Sequence, residues 1–281
     1  METLVSSATK ELVISDTRPT VLIGERINPT GKKKLTAALQ AGDMEIVRRE
    51  ALEQVQAGAA VLDVNGGASG VDEVTLLPRM VRVVMGAVDV PLCIDSSNPE
   101  ALKAALAVYK GKPLINSVTG EEQSLRKVLP LVKQYGAAVI GLTMDEEGIP
   151  YDADKRVAIA HRIVERAEAM GIPRADVVID CLTLTVGADS KAGLVTLETI
   201  RRVKAELGSN MTLGAGNISF GLPDRSLLTG IFLSIVIAAG VTCPIVDAAS
   251  VRAAVLAADL VLGRDDYAMN YIQGYRQRLK Q

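Results

Sequence analysis

The chain has 281 residues, a formal net charge of −2, 48% hydrophobic and 23% charged residues, and only two Phe, six Tyr and no Trp. That composition excludes disordered and fibrous chains, gives no basic footprint for nucleic acid and leaves too few aromatics to stack single-stranded bases. The three cysteines, Cys93, Cys181 and Cys243, lie far apart in apolar stretches without a CxxC pair, which predicts free thiols in a reducing cytosol rather than disulfides or zinc ligands.

Residues 1–19 begin METLVSSATKEL, which lacks the apolar centre of a signal peptide. They form an extension before the first strand, placed to plug or flank the bottom of the fold. The first β-rich run is Thr20–Glu25. Asp43–Ala57 then has helical spacing, with Met44, Val47, Ala51 and Val55 on one face, Asp43 as its cap and Gly58 as its stop. Strands at Ala60–Asn65 and Pro91–Asp95 follow, and the helix Pro99–Tyr109 opens on proline. After strands at Pro113–Asn116 and Ala137–Thr143, the helix Ala153–Met170 carries Val157, Ala160, Val164 and Ala167 on one stripe. Val177–Asp180, Met211–Gly214 and Cys243–Asp247 complete the strands. Ser226–Val246 is uncharged and long enough to span a bilayer. Gly230, Ser234, Gly240, Thr242 and Pro244 interrupt it, which suits a buried helix followed by a buried strand. A soluble, cytoplasmic protein without membrane contact is therefore expected. Apolar strands alternating with helices predict a parallel sheet covered on its outer face. The fold expected is α/β, a single (β/α)8 TIM barrel spanning 1–281, since such a barrel uses about 250 residues as one domain. A doubly wound open sheet is the alternative, but no GxGxxG turn supports it.

Barrel active sites occupy the C-terminal mouth, and nearly every strand here ends in a carboxylate or carboxamide. In order these are Glu25 and Asn28, Asp63 and Asn65, Asp95, Asn116, Asp145, Asp180, Asn217 and Asp247. Singly, each is better read as a helix cap or turn former. Together they would surround one ligand, and their mix of acceptors and donors suits a neutral heterocycle with several N–H groups and a carbonyl. The lone histidine, His161, sits on a helix away from any strand end, so no His-based triad or zinc cluster is expected. A divalent ion held by Asp and Glu alone stays open. The glycines of Asn65–Gly70 suggest a phosphate loop only weakly; they more simply let the chain turn.

Gly24-Glu25-Arg26-Ile27-Asn28, Asp63-Val64-Asn65, Asp95-Ser96-Ser97-Asn98, Ile115-Asn116-Ser117, Gly141-Leu142-Thr143-Met144 and Gly216-Asn217-Ile218-Ser219 together resemble the pterin-binding methyltransferases. That family includes the methyltetrahydrofolate:corrinoid/iron–sulfur-protein methyltransferases and the folate module of cobalamin-dependent methionine synthase. The resemblance runs in order from about Val21 to the C-terminus. It implies methyl transfer between N5 of tetrahydrofolate and the cobalt of a corrinoid. Tetrahydrofolate and 5-methyltetrahydrofolate are substrates in this reading, and cobalamin is a methyl donor or acceptor that is not permanently bound. It further implies that Asp95, Asn116 and Asp180 hold the pterin's pyrimidine edge and that Asn217 is the catalytic residue near N5. Gly214, Arg225 and Ile245 match further substrate-binding positions, and no metal site is implied. No DxHxxG-type corrinoid motif occurs, so the partner is free cobalamin or a separate corrinoid protein, and the family implies a homodimer. With His161 misplaced, no group titrating near neutrality is expected at the site, and catalysis would rest on orientation and an Asn217-centred hydrogen-bond network.

Three departures stand out: Gly216 where relatives commonly have serine, Phe220 where some have glutamine, and Gly66 in place of a bulkier apolar residue. Phe220 is as well explained by packing in its loop as by touching a ligand. A dihydropteroate synthase-like condensation is the nearest alternative, but its basic pyrophosphate cluster is missing at Gly216-Asn217 and Asp247–Ser250. A non-catalytic pterin-binding subunit is the second. Lys32–Lys34 is the only basic run and reads as a solvated loop after the first strand. Nothing else in the sequence supports docking of an acidic partner or a polyglutamate tail there.

Overall fold

A computed structural model describes residues 1–279. An antiparallel hairpin of β1 (Thr3–Ser6) and β2 (Glu11–Ile14) opens the chain. The parallel strands are β3 (Ile23–Ile27), β4 (Val61–Asn65), β5 (Leu92–Asp95), β6 (Leu114–Thr119), β7 (Ala138–Leu142), β8 (Val177–Asp180), β9 (Met211–Thr212) and β10 (Ile245–Val246). They run in the order β10-β3-β4-β5-β6-β7-β8-β9. A parallel bridge between Gly214 and Ile245 closes the ring, helped by the Ile245 amide donating to the Leu213 carbonyl at 2.9 Å. This is a (β/α)8 TIM barrel.

Each strand is followed by helix: α1 (Lys33–Gln40) and α2 (Glu45–Gln56), α3 (Glu73–Ala87), α4 (Pro99–Leu106), α5 (Glu122–Tyr135), α6 (Ala153–Ala169), α7 (Ala192–Leu207), α8 (Arg225–Ala239) and α9 (Ala248–Val261), with α10 (Met269–Arg278) last. Three helix readings change, the first being that the helix opening on Pro99 stops at Leu106 and leaves Tyr109 outside it. Asp43 accepts from the Glu45 amide at 2.9 Å, but Met44 occupies the cap position and α2 starts at Glu45. Lys33 and Lys34 are not loop residues; they open α1. α8 is buried along Thr229, Phe232, Leu233, Val236 and Ile237, while its other face exposes Leu227, Leu228, Ile231 and Ile235. The expected buried helix is thus covered on one side only. Among the described residues no helix is long and apolar enough to cross a membrane.

Strand side chains alternate between the barrel interior and the helix layer, and this alternation places the site. On β4, Val61, Asp63 and Asn65 point inward while Leu62 and Val64 pack under the helices. The same parity puts Cys93 then Asp95, Leu114 then Asn116, and Val178 then Asp180 inside the barrel. The lower interior is therefore apolar and the upper interior polar. Val5 and Ile14 of the hairpin, both fully buried, join Ile23, Val61, Cys93, Leu114, Ile140 and Val178 in the lower core. The hairpin is anchored there by Asn210, whose Nδ2 donates to Thr3 Oγ1 and the Ile14 carbonyl at 2.9 Å each. The hairpin thus plugs the bottom of the barrel, and the polar ring lies at the C-terminal mouth.

Candidate active site

Register sets the polar ring. Asn65 pairs with Asp95 and Asp95 with Asn116 across β4, β5 and β6. Asn65 Nδ2 donates to Asp95 Oδ2 at 2.9 Å and its Oδ1 accepts from the Gly67 amide at 2.8 Å, so both ends of that carboxamide are taken. Asn116 Nδ2 donates to Asp63 Oδ1 at 3.1 Å, and among the described residues its Oδ1 has no donor, which leaves it free to accept. Asp63 is buried one layer below, and burial together with the adjacent Asp95 carboxylate holds it well above the ordinary carboxylate range. Burial likewise pushes Asp95 up to about 6, against the hydrogen bond from Asn65.

Asp180 ends β8. Its Oδ1 accepts from the Leu182 amide at 2.7 Å, and Leu182 adopts the left-handed backbone at φ 53°. That turn is held from below by Arg156, which is 1% exposed and donates to the carbonyls of Cys181 (2.8 Å), Leu182 (2.9 Å) and Pro150 (2.8 Å). Burial outweighs both the Leu182 amide and the Arg156 charge and pushes Asp180 up to about 7. The expectation that nothing at the site titrates near neutrality is therefore corrected. Sequence spacing could not show it, because the shift comes from burial inside the closed barrel.

Asn217 belongs to the next strand round, in a 3-10 turn spanning Ala215–Ser219 after β9. The turn is pinned by Asn217 N–H to the Gly214 carbonyl (3.2 Å), by Phe220 N–H to the Asn217 carbonyl (3.1 Å) and by Ser219 Oγ against Thr229 Oγ1 (2.9 Å). The Asn217 side chain is exposed and, among the described residues, makes no hydrogen bond. A Cβ on Gly214 would stand 3.0 Å from Asn217 Nδ2, so glycine there leaves the carboxamide its position. Ile245 is half-buried and faces Gly214 through the bridge that closes the barrel. Arg225 is engaged with the same loop: it donates to the Gly216 carbonyl (2.8 Å) and Ser219 Oγ (3.2 Å), and lies 5.8 Å over the Phe220 ring. Phe220 is 67% exposed and does not pack in its loop. A Cβ on Gly216 would meet Arg225 and Glu25 only at 3.8 Å, so the serine of relatives would fit without displacing them.

A charged network completes the arc between β10 and β3. Arg26 grips Glu50 through Nε–Oε2 (2.6 Å) and a second nitrogen to Oε1 (3.1 Å), and reaches Asp247 at 3.5 Å. Gln54 Nε2 donates to Asp247 Oδ1 at 3.0 Å, while its Oε1 accepts from the Ala248 amide at 3.3 Å. Burial raises Glu25, opposed by the nearby Lys32 ammonium. Glu50 and Gln54 escaped the sequence reading, although both are polar residues on the stripe of α2 that Val47 and Ala51 bury. Other strand-end groups serve the local geometry. Asn28 and Asp145 accept from amides two residues on, and Asp247 caps α9. His161 meets Glu206 at 2.9 Å on the outer helices. Among the described residues no three His, Cys, Asp or Glu side chains cluster as metal ligands.

Residues 24–247 match the model of the pterin binding enzyme family. The chain belongs to that family. Within it, the chain is 32% identical to the methylcorrinoid:tetrahydrofolate methyltransferase of Eubacterium limosum, over 92% of this chain and 96% of that protein. It is 34% identical to the methionine synthase of Mycobacterium leprae over 83% of this chain, but spans only 21% of that longer protein. Among solved structures, Xanthomonas albilineans dihydropteroate synthase with 4-aminobenzoic acid superposes with a TM-score of 0.72, at 20% identity, covering 92% of this chain and 98% of that one. The Yersinia pestis dihydropteroate synthase gives 0.71 at 16% identity, over 94% and 100%. Likeness at such identities concerns the pterin-binding barrel fold alone.

Proposed function

We propose that the mouth binds tetrahydrofolate by its pterin and transfers a methyl group between N5 and the cobalt of a corrinoid, either free cobalamin or one carried by a separate protein. The observation that carries this reading is the division of the mouth. Acceptors Asp95, Asn116 and Asp180 at the ends of β5, β6 and β8 take one part of it, and the unengaged carboxamide of Asn217, after the neighbouring β9, takes the next. The pterin's amino and ring N–H groups donate to the two carboxylates, and Asn116 Oδ1 accepts from a further ring N–H. Bound this way, N5 lies under Asn217, within the loop that Gly214, Ile245 and Arg225 support.

In the forward transfer the cobalt electron pair forms the Co–C bond, the C–N5 pair returns to N5, and N5 takes up a proton. In reverse, the N5 lone pair of tetrahydrofolate takes the methyl, the Co–C pair stays on the reduced cobalt, and N5 gives up its proton. Asn217 can donate to N5 as its electron pair develops, an interaction strongest in the transition state. The end-to-end likeness to an enzyme named for this transfer supports the same reading. The condensation carried out by dihydropteroate synthases needs a basic pyrophosphate cluster, and Gly216, Asn217 and Ser250 stand where it would be.

Anaerobic mixing with tetrahydrofolate and methylcobalamin, or a methylated corrinoid protein, should bleach the methyl–cobalt absorption and yield 5-methyltetrahydrofolate. Tight folate binding without transfer from either donor would leave a pterin-binding subunit instead.

Two further parts of this reading concern assembly and location. The exposed apolar face of α8, Leu227, Leu228, Ile231 and Ile235, supports pairing with a second copy. Sedimentation of the purified chain should give twice the mass of one chain, and Ile231→Glu should halve it; a wild-type monomer would remove the dimer. The buried free thiols of Cys93, Cys181 and Cys243 support a cytoplasmic setting, which recovery of the protein outside the soluble cell fraction would overturn.

A further inference from the structure

Lys32, Lys33 and Lys34 have no part in the transfer described above, yet they stand just beyond the C-terminal end of β3, at the start of α1. Lys32 Nζ donates to the carbonyls of Glu25 and Arg26 at 3.1 Å each, folding the segment before α1 back over the end of β3. Its ammonium is half-buried, and burial lowers its pKa. Lys33 and Lys34 are exposed at the start of α1. With Arg26, Arg49, Leu35 and Ile46 they line a groove of about 710 Å³. The two carboxylates in its wall are already engaged, Glu50 by Arg26 at 2.6 Å and Glu53 by Arg49 at 3.8 Å. Lys32 lies near Glu25, but among the described residues Lys33 and Lys34 have no ion-pair partner, so the groove keeps a positive surplus in a chain of net charge −2.

The geometry of the mouth says what should reach this groove. Acceptors on β5, β6 and β8 take the pyrimidine edge, and Asn217 after β9 lies over N5. A pterin held that way turns its N5–C6 edge toward β9, β10 and β3, which are neighbours in the barrel. The remainder of a folate hangs from C6: an aminobenzoyl group and then a glutamate, extended in many folates by γ-linked glutamates that each add a carboxylate. We infer that the Lys32–Lys34 groove is the subsite for this glutamyl tail, so that the preferred substrate is a poly-γ-glutamyl tetrahydrofolate. The inference rests on the pterin-binding reading. Leu35 and Ile46 offer apolar contact to the methylene carbons between carboxylates, and the concave shape favours an extended chain over a flat acidic face of a carrier protein.

Isothermal titration with tetrahydropteroyl-monoglutamate and the tri-γ-glutamate, at low and high salt, tests it. Exposed ion pairs contribute little each and are screened, so the triglutamate should bind about three- to tenfold more tightly at low salt, with the advantage shrinking as salt rises. Lys33→Gln/Lys34→Gln should abolish that advantage while weakening monoglutamate binding by no more than about twofold. Lys33→Glu/Lys34→Glu should reverse the order, and an unchanged thermal melt shows that both variants are folded. Equal affinities in the wild type, or an advantage that the double variant keeps, would overturn the inference. So would a double variant that slows transfer from a corrinoid protein equally with both folates, because the groove would then dock the carrier. If neither folate binds the wild type, the pterin reading itself has failed and the tail subsite falls with it.

Discussion

Asn217→Ala is expected to lower kcat by about a hundred- to a thousandfold, the loss typical of removing one donor aimed at developing charge, while the folate dissociation constant moves by less than about threefold. The asymmetry follows from the geometry. Asn217 is held by the backbone of its turn, through Gly214 and Phe220, so truncating the side chain leaves the loop in place. Because the carboxamide is exposed and bonded to nothing among the described residues, its removal should shift folding stability by no more than about 0.5 kcal/mol. On the proposed reading, what disappears is a hydrogen bond to N5, which matters most when the C–N bond is half broken and electron density gathers on nitrogen. Gly214→Ala probes the same point from the side: the added methyl would press on Nδ2 from 3.0 Å and should give a smaller fall in kcat with KM held. Stopped-flow turnover together with equilibrium folate titration separates the outcomes. Equal losses of affinity and kcat in Asn217→Ala would make the residue a ground-state contact and end its catalytic role.

The barrel strands were legible because each is an apolar run bounded by polar residues, and β8 falls on the expected Val177–Asp180. The polar ring was legible for the same reason. A strand whose lower inward residue is apolar and whose next inward residue is Asp or Asn announces where the core stops and the mouth begins. Local pattern could not separate ring members from cap formers, since Asp247 caps α9 and also receives Gln54 and Arg26. The hairpin went unread because strands of four residues carry too little alternation, and its partners lie far away in sequence: the lower barrel core for Val5 and Ile14, and Asn210, about two hundred positions on. The exposed face of α8 was hidden by composition: a helix apolar on all sides shows no stripe from which to tell the buried side from the open one. Glu50 and Gln54 have roles that exist only once α2 lies against β3 and β10.

The acidity of Asp180 is the property least visible in sequence, and it predicts how binding should respond to pH. In the free protein burial places this carboxyl at about 7, whereas a pterin N–H donor in the pocket favours the carboxylate. Below pH 7 the incoming pterin must therefore displace a proton. Affinity for tetrahydrofolate should fall as pH is lowered from 8 to 5, by up to about tenfold per unit below 7, and calorimetry in buffers of different ionisation enthalpy should detect proton release. Asp95, raised to about 6, extends the same trend into the lower end of that window. Asp180→Asn should weaken binding by about ten- to a hundredfold at pH 8, since a carboxamide nitrogen facing a pterin donor leaves both unpaired, and should flatten the pH profile above 6. Folding stability of the free protein carries the opposite sign. A carboxyl whose native pKa is raised stabilises the fold fully below its unfolded value, and that contribution is lost as pH rises through the native one. The unliganded wild type should accordingly lose stability between pH 5 and 8, and Asp180→Asn should lose less over the same interval. Binding that is indifferent to pH in the wild type would mean that the pterin leaves Asp180 protonated, and the carboxylate would then have to be removed from the recognition of its N–H groups.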